Sequence, residues 1–278
     1  MKLSLLGLGI IGTAWAKNLI ADDMDIRCWN RTPKDFPHIV PSIEEAVQGA
    51  EFVIIVVADP AAVESILKQA LPHLVTGQTI IQCSTISAEW THRFAKQVRG
   101  TGADFLEAPF TGSRPAAEQR KTVFYTAGES EVLEKARPVL ERLASSIQYI
   151  GPLGTASSLK LAMNIQIAGI AQALCESLAL CRASGIDDEK FFDALHLNAA
   201  RSGVSDLKEP KLLARDYSPQ FSIKHMAKDL RLAQETTRGV NLELPQLASL
   251  IPVYQQALEN GWSEDDYISL ERLLGETP

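Results

Sequence analysis

The sequence predicts an α/β fold in which a strand-and-helix domain comes first and an all-α domain built on one long helix follows. Three observations predict it. An apolar run, Leu3-Ser4-Leu5-Leu6, feeds into Gly7-Leu8-Gly9-Ile10-Ile11-Gly12 and then into Thr13 to Leu19 at helical spacing. Apolar strand-like runs alternate with helix-length segments as far as Gly151. Beyond Gly151-Pro152-Leu153-Gly154, residues 155–184 run without proline and are rich in Ala, Leu and Ile, and no strand pattern returns. The expected domains are 1–153 and 154–278.

The first element carries the most chemistry. A strand, a glycine turn and a helix start in immediate succession form the unit that binds a dinucleotide pyrophosphate, so the first domain reads as Rossmann-type. Gly7 permits the tight turn, Gly9 lets backbone approach the phosphates, and Gly12 lets helix and strand pack closely. Leu8, Ile10 and Ile11 lie between them and share the cofactor assignment. Further strands are expected at Leu3–Leu6, Ile26–Trp29, Phe52–Val57, Thr79–Cys83, Asp104–Ala108, Val123–Ala127 and Ile147–Ile150, giving a parallel or mixed sheet covered on both faces. Val57-Ala58 and Ser84-Thr85 follow apolar strands, where ligands of open α/β sheets collect. Ser84 reads equally as a helix cap.

The second strand bears on which dinucleotide is taken. An NAD site usually places Asp or Glu about 20 residues beyond the glycines to accept from the ribose. Here the strand ends in Asn30-Arg31-Thr32-Pro33, with no carboxylate at its tip. Asn30 and Thr32 can donate to a phosphate and Arg31 can pair with one, so NADP(H) is expected in preference to NAD(H). By itself, Arg31 reads as a solvated loop cation.

Composition narrows the class. With 278 residues, 46% of them hydrophobic, the chain can bury a large core. A net charge of −7 and the absence of a basic block argue against nucleic acid or an anionic membrane as partner. Met1-Lys2 and the apolar run that follows read as a first strand rather than a signal peptide, and the polar residues Lys160, Asn164, Glu176 and Arg182 keep the long helix from reading as a membrane span. Cys28, Cys83, Cys175 and Cys181 lie scattered without metal-ligand spacing, which suits reduced thiols in a cytoplasmic protein and no metal site.

In the second domain, helices are expected at 155–184, 187–200, 222–238, 244–259 and 263–274, with Pro210, Pro219 and Pro245 as punctuation. Lys160 and Asn164 stand at i and i+4, on one face of an apolar helix. Burying an ammonium costs several kcal/mol unless it is paired, so Lys160 reads either as functional or as a lysine whose stem snorkels to solvent.

At this point the chain resembles the β-hydroxyacid dehydrogenases, among them the 3-hydroxyisobutyrate dehydrogenases and the glyoxylate/succinic semialdehyde reductases. The resemblance rests on four segments in order: Gly7 to Gly12; Ala108-Pro109-Phe110-Thr111-Gly112-Ser113; Gly151, Gly154, Lys160 and Asn164; and Phe221 with Lys228-Asp229-Leu230-Arg231-Leu232-Ala233. It implies that Lys160 is the catalytic lysine and that Asn164 holds the substrate hydroxyl or carboxylate. Thr111, Gly112 and Ser113 would grip the carboxylate, with Thr111 counted in the catalytic set. Thr85 and Lys228 would lie near the nicotinamide, Phe221 would wall the site, and Asp229 would either orient Lys160 or pair with His225.

The sequence departs from the resemblance at Thr111, where serine is usual, and at Arg120-Lys121, where Gly-Thr is common. The run Thr111 to Glu118 lies nearer the semialdehyde reductases. The expected function is therefore NADP(H)-dependent interconversion of a small carboxylate-bearing aldehyde and its hydroxy acid, with Lys160 as general acid/base. The competing expectations are an imine reductase of the same fold, against which Lys160 argues, and a non-catalytic NADP-binding module, which would be free to lose Lys160 and Asn164. The apolar surplus of the helical domain makes a homodimer or larger homo-oligomer the expected assembly, with this domain serving substrate binding and dimerisation.

Overall fold

The computed structural model describes residues 1–275. They form two compact units, one spanning Met1–Leu161 and the other beginning at Ala162. In the first, elements follow in the order β1 (Lys2–Leu6), α1 (Ile10–Ala21), β2 (Asp25–Trp29), α2 (Ile43–Val47), β3 (Phe52–Ile55), α3 (Pro60–Ala70), β4 (Thr79–Gln82), α4 (Ala88–Arg99), β5 (Asp104–Glu107), β6 (Phe110–Thr111), α5 (Arg114–Glu118), β7 (Thr122–Ala127), α6 (Ser130–Leu140) and β8 (Ala144–Gly151). One sheet runs β2-β1-β3-β4-β5-β7-β6, and β8 pairs with β7. From β2 to β5 the pairing is parallel; β7 is antiparallel to β5 and β6.

Side-chain alternation explains why the central strands are apolar throughout. Leu3, Leu5, Ile54, Ile81 and Leu106 enter one core with Trp15, Leu19 and Leu133. Their neighbours Leu6, Val53, Ile55, Ile80 and Phe105 enter the other with Val47, Val63 and Phe94. A strand buried on both faces has no polar side to display. Chain direction across the sheet reverses between β1 and β3, and the crevice beyond strand ends at such a switch point is where this architecture takes ligands.

The expected strands are all present, but β6 has no counterpart among them. Two residues are too short for a period-2 signal. Phe110 is held by pairing with Phe124 and by edge-on packing against Trp15, with ring centroids 4.8 Å apart.

The long helix, α7 (Thr155–Ala183), is 29 residues without a break, and the two units divide within it rather than at the turn before it. Its first turns belong to the first unit because Ala156 and Leu159 pack on Tyr125 and Ala127. By length and composition α7 could cross a membrane, yet Ala168, Ala171, Leu174, Cys175 and Leu178 are buried in this fold.

The second unit continues with α8 (Asp188–His196), α9 (Gly203–Leu213), α10 (Ile223–Gly239), α11 (Pro245–Glu259) and a 3-10 segment, Tyr267–Leu274. Helix α9 was not among the expected helices. Gly203 at its start and Pro210 inside it argue against a helix, but Ser202 and Ser205 cap each other and Lys208 anchors it. Lys208 is fully buried, its Nζ 2.7 Å from Asp266 Oδ1 and 3.0 Å from Gln220 Oε1, over the Tyr267 ring. Asp266 also accepts from the Ile268 N–H, which fixes the tight 3-10 turn where an α-helix was expected over 263–274. Breaking such a buried pair from one side costs about 3–5 kcal/mol.

Candidate active site

The glycine turn is shaped as its residues require. Gly7 has φ +113°, and a Cβ there would lie 2.3 Å from the Val56 carbonyl oxygen. A Cβ on Gly12 would lie 1.9 Å from the Gly7 oxygen. Gly9 differs, because a Cβ there would meet no protein atom within 4 Å. It is also the N-cap of α1 and offers no capping side chain. Space above the loop and N–H donors left without a side-chain acceptor fit the pyrophosphate of a dinucleotide.

The tip of β2 is tied to the glycine turn. Asn30, expected to donate to a phosphate, accepts from the Leu8 N–H through Oδ1 at 2.9 Å and donates one Nδ2 hydrogen to the Thr32 oxygen at 2.8 Å, leaving the other for a ligand. Asn30 therefore fixes the glycine turn. Arg31 and Thr32 are exposed at the tip. Sequence reasoning stopped one residue short of another cation: Lys34 donates to the Leu8 oxygen at 2.9 Å and to Thr13 Oγ1 at 2.8 Å, placing an ammonium on the glycine turn. Its proximity to Arg31 in the chain was the available signal.

Ser84 is neither a helix cap nor a free hydroxyl. Its Oγ accepts from the Val57 N–H at 2.8 Å and ties the ends of β3 and β4 together, while Ser87 caps α4. Ala58 and Thr85 follow on these two strand ends. On the antiparallel edge, Thr111 ends β6, Gly112 takes φ +121°, and Ser113 is the N-cap of α5 without a side-chain cap bond. All three are half-buried.

The start of α7 is held by a residue the sequence reading passed over. Glu107, fully buried at the end of β5, accepts the Gly154 N–H through Oε2 at 2.6 Å and the Ser157 N–H through Oε1 at 2.5 Å. Burial pushes its carboxyl above the ordinary range, and the bonds from Ser157 and Gly154 oppose that rise. Thr91 Oγ1 and Ser157 Oγ are 3.0 Å apart. A Cβ on Gly154 would come within 2.9 Å of His92 Nε2, so the turn into α7 is pressed against α4. A glutamate at the fully buried end of β5, directly after the apolar Phe105-Leu106, was the signal.

Lys160 lies three residues beyond Ser157 and is half-buried, not sealed in the core. Lys208, by contrast, is fully buried and paired with Asp266. One turn further along α7, Asn164 is buried and donates through Nδ2 to Asp229 Oδ2 at 2.5 Å. Asp229 Oδ1 lies 2.8 Å from Lys228 Nζ. Of the two roles expected for Asp229, orienting Lys160 or pairing with His225, these bonds show neither directly: His225 Nδ1 is 2.7 Å from Ser222 Oγ, and Asp229 acts on His225 through its charge. Burial, with Lys228 and Lys224 nearby, holds the His225 imidazole below its ordinary pKa. Phe221 stacks on His225 at 6.0 Å and meets Tyr267 edge-on, half-buried between them.

A glycine-turn nucleotide domain followed by a helical domain entered through a lysine-bearing helix defines an NAD(P)-dependent dehydrogenase. Residues 2–151 match the model described as the NAD binding domain of 6-phosphogluconate dehydrogenase, and residues 154–274 match that described as NAD-binding of NADP-dependent 3-hydroxyisobutyrate dehydrogenase. The chain belongs to the 3-hydroxyisobutyrate dehydrogenase-like family of NAD(P)-dependent β-hydroxyacid dehydrogenases and semialdehyde reductases. It is 29% identical to glyoxylate/succinic semialdehyde reductase 2, chloroplastic, of Arabidopsis thaliana, over 99% of this chain and 79% of that protein. To the 2-hydroxy-3-oxopropionate reductase of Escherichia coli it is 28% identical, over 99% and 97%. The structure of Mycobacterium tuberculosis 3-hydroxyisobutyrate dehydrogenase with L-serine superposes with a TM-score of 0.90 over 99% of both chains, at 23% identity, a likeness of fold.

Proposed function

We propose that this protein is an NADP(H)-dependent reductase of a small carboxylate-bearing aldehyde, with glyoxylate and succinic semialdehyde as the first substrates to consider. The observation that carries the reading is the Lys160–Asn164 turn of α7, in which a half-buried lysine stands one turn before a buried asparagine fixed by Asp229. When bound, the nicotinamide supplies hydride to the carbonyl carbon. Lys160 Nζ protonates the alkoxide oxygen as it forms, and its charge stabilises that oxygen beforehand. Asn164, its amide oriented by Asp229, holds the substrate hydroxyl or carboxylate. Thr111, Gly112 and Ser113 bind the carboxylate through hydroxyl and N–H donors, Phe221 walls the site, and Thr85 and Lys228 flank the nicotinamide.

Cofactor preference follows from the β2 tip. Gly7 to Gly12 receive the pyrophosphate, and Val57 and Ala58 border it. Arg31, with Thr32 beside it and Lys34 on the turn, takes the ribose 2′-phosphate. The enzyme works in the cytoplasm as a homodimer or larger homo-oligomer, covering apolar side chains left open on the helical unit such as Leu180 and Leu197.

The test is NADPH and NADH oxidation across glyoxylate, succinic semialdehyde, tartronate semialdehyde and methylmalonate semialdehyde, with Arg31→Ala beside the wild type. Turnover with at least one of the four and a loss in the variant of about 1.5–3 kcal/mol in NADPH binding, with NADH little changed, is expected. Equal losses for both cofactors would remove the 2′-phosphate assignment.

A further inference from the structure

Arg120 occupies a conformation that its residue type disfavours. Its φ is +59°, in the left-handed region where glycine is at ease. The turn between α5 and β7 reads Gln119-Arg120-Lys121, so neither glycine nor asparagine relieves it. What holds it is the side chain. Arg120 Nη1 donates to Asp22 Oδ2 at 2.7 Å and to the Arg142 oxygen at 2.9 Å; Nη2 donates to Asp22 Oδ1 at 2.8 Å and to the Asn18 oxygen at 3.0 Å. Four acceptors match the four Nη hydrogens of one planar fork, a geometry an ammonium cannot copy. Asp22 is drawn below the ordinary carboxylate range, first by its hydrogen bond to Arg120 and then by Arg142.

The location of this fork gives it meaning. Asn18 and Asp22 lie at the end of α1, the helix whose other end is the glycine turn. Arg120 closes the segment that begins with Thr111, Gly112 and Ser113. A second bond runs the same way, from Asn18 Nδ2 to the Ala117 oxygen at 2.9 Å, and a third from Trp15 Nε1 to Thr122 Oγ1 at 3.1 Å. The segment's own closure, Lys121 N–H to the Ala116 oxygen at 2.7 Å, depends on the chain turning at Arg120.

We propose that Arg120 is a positioning residue for substrate binding: its fork to Asp22 and the end of α1 locks the 111–118 segment to the cofactor helix, so that carboxylate donors and glycine turn move as one piece. The inference rests on the assignment of Thr111, Gly112 and Ser113 as the carboxylate site.

Two readouts on the full chain with NADPH test it. In Arg120→Gly, which relieves the backbone and removes the fork, KM for the aldehyde acid should rise about tenfold, with kcat and NADPH affinity changed by less than about threefold. Amide hydrogens of residues 111–118 should exchange about tenfold faster, while those of α1 keep their protection. Asp22→Asn should move both readouts in the same direction by less, Arg120→Lys should rescue only in part, and an Asp22→Ala/Arg120→Ala double variant should be no worse than the worse single. Should Arg120→Gly not accumulate as folded protein, Asp22→Asn decides alone. Unchanged KM and unchanged exchange in a folded variant would reduce the fork to a surface ion pair and overturn the proposal. If the wild type reduces none of the aldehyde acids, the proposed function fails and the exchange measurement still decides whether Arg120 locks the segment.

Discussion

Two buried carboxylates lie on either side of Lys160 in the bonding of α7, and they do different work. Glu107 takes two backbone N–H groups, from Gly154 and Ser157, before the lysine. Asp229 takes a side-chain amide, from Asn164, after it, and faces the Lys228 ammonium. A carboxylate spent on backbone fixes where a helix starts. One spent on a side-chain amide fixes which way a functional group points, and leaves the backbone alone. With Asn164 in the role proposed for it, stability and chemistry are separable along one helix: removing the first carboxylate should cost fold and rate together, removing the second mainly rate.

The largest departure should come from Glu107→Ala. It leaves two buried N–H donors without acceptors, each worth about 1–3 kcal/mol. The thermal midpoint should fall by many degrees, and kcat should fall with it as the turn before Lys160 loosens. A variant with wild-type stability would show that solvent replaces the carboxylate, and the contrast with Asp229 would collapse.

Asp229→Ala should show the opposite balance. Its stability loss should be smaller than that of Glu107→Ala, because one buried side-chain amide that can rotate loses its acceptor rather than two fixed backbone N–H groups, while kcat/KM falls by about 10–100-fold, the size of effect seen when an orienting partner is removed. Asn164→Ala in the same background should add little, since the two act as one unit. If Asp229→Ala proves as destabilising as Glu107→Ala with full activity per folded molecule, Asp229 belongs to the fold and not to the chemistry.

How far the sequence could be read follows the same division. The glycine turn was legible because each residue there answers to a backbone or packing demand, and the structure leaves no room for a Cβ on Gly7 or Gly12 while Gly9 is open. The β1–β5 strands and α7 were legible through apolar runs that must be buried. Partners between distant segments were not legible. Glu107 meets Gly154, Asn30 turns back on Leu8, and Asp229 accepts from Asn164, all decided by tertiary approach. Helix α9 was missed for a related reason, since Lys208 and Asp266 outweigh the unfavourable Gly203 and Pro210 only once the chain has folded. The glycine turn and the β2 tip were singled out from their own residues, and Thr111, Gly112 and Ser113 from the resemblance; what each side chain does there is the proposal now open to test.

The central claim is that Lys160 delivers the proton, and one measurement addresses it most directly: single-turnover reduction of succinic semialdehyde or glyoxylate by Lys160→Ala and Lys160→Arg, with NADPH titrated in parallel. Because Lys160 is half-buried and Glu107 holds the start of α7, both variants should fold and bind NADPH within about twofold of wild type. The rate should fall about 10²-fold or more in each, since alanine removes the donor and guanidinium, though charged, is too basic to release a proton near neutral pH. Near-wild-type turnover in either variant, with cofactor affinity intact, would contradict the account.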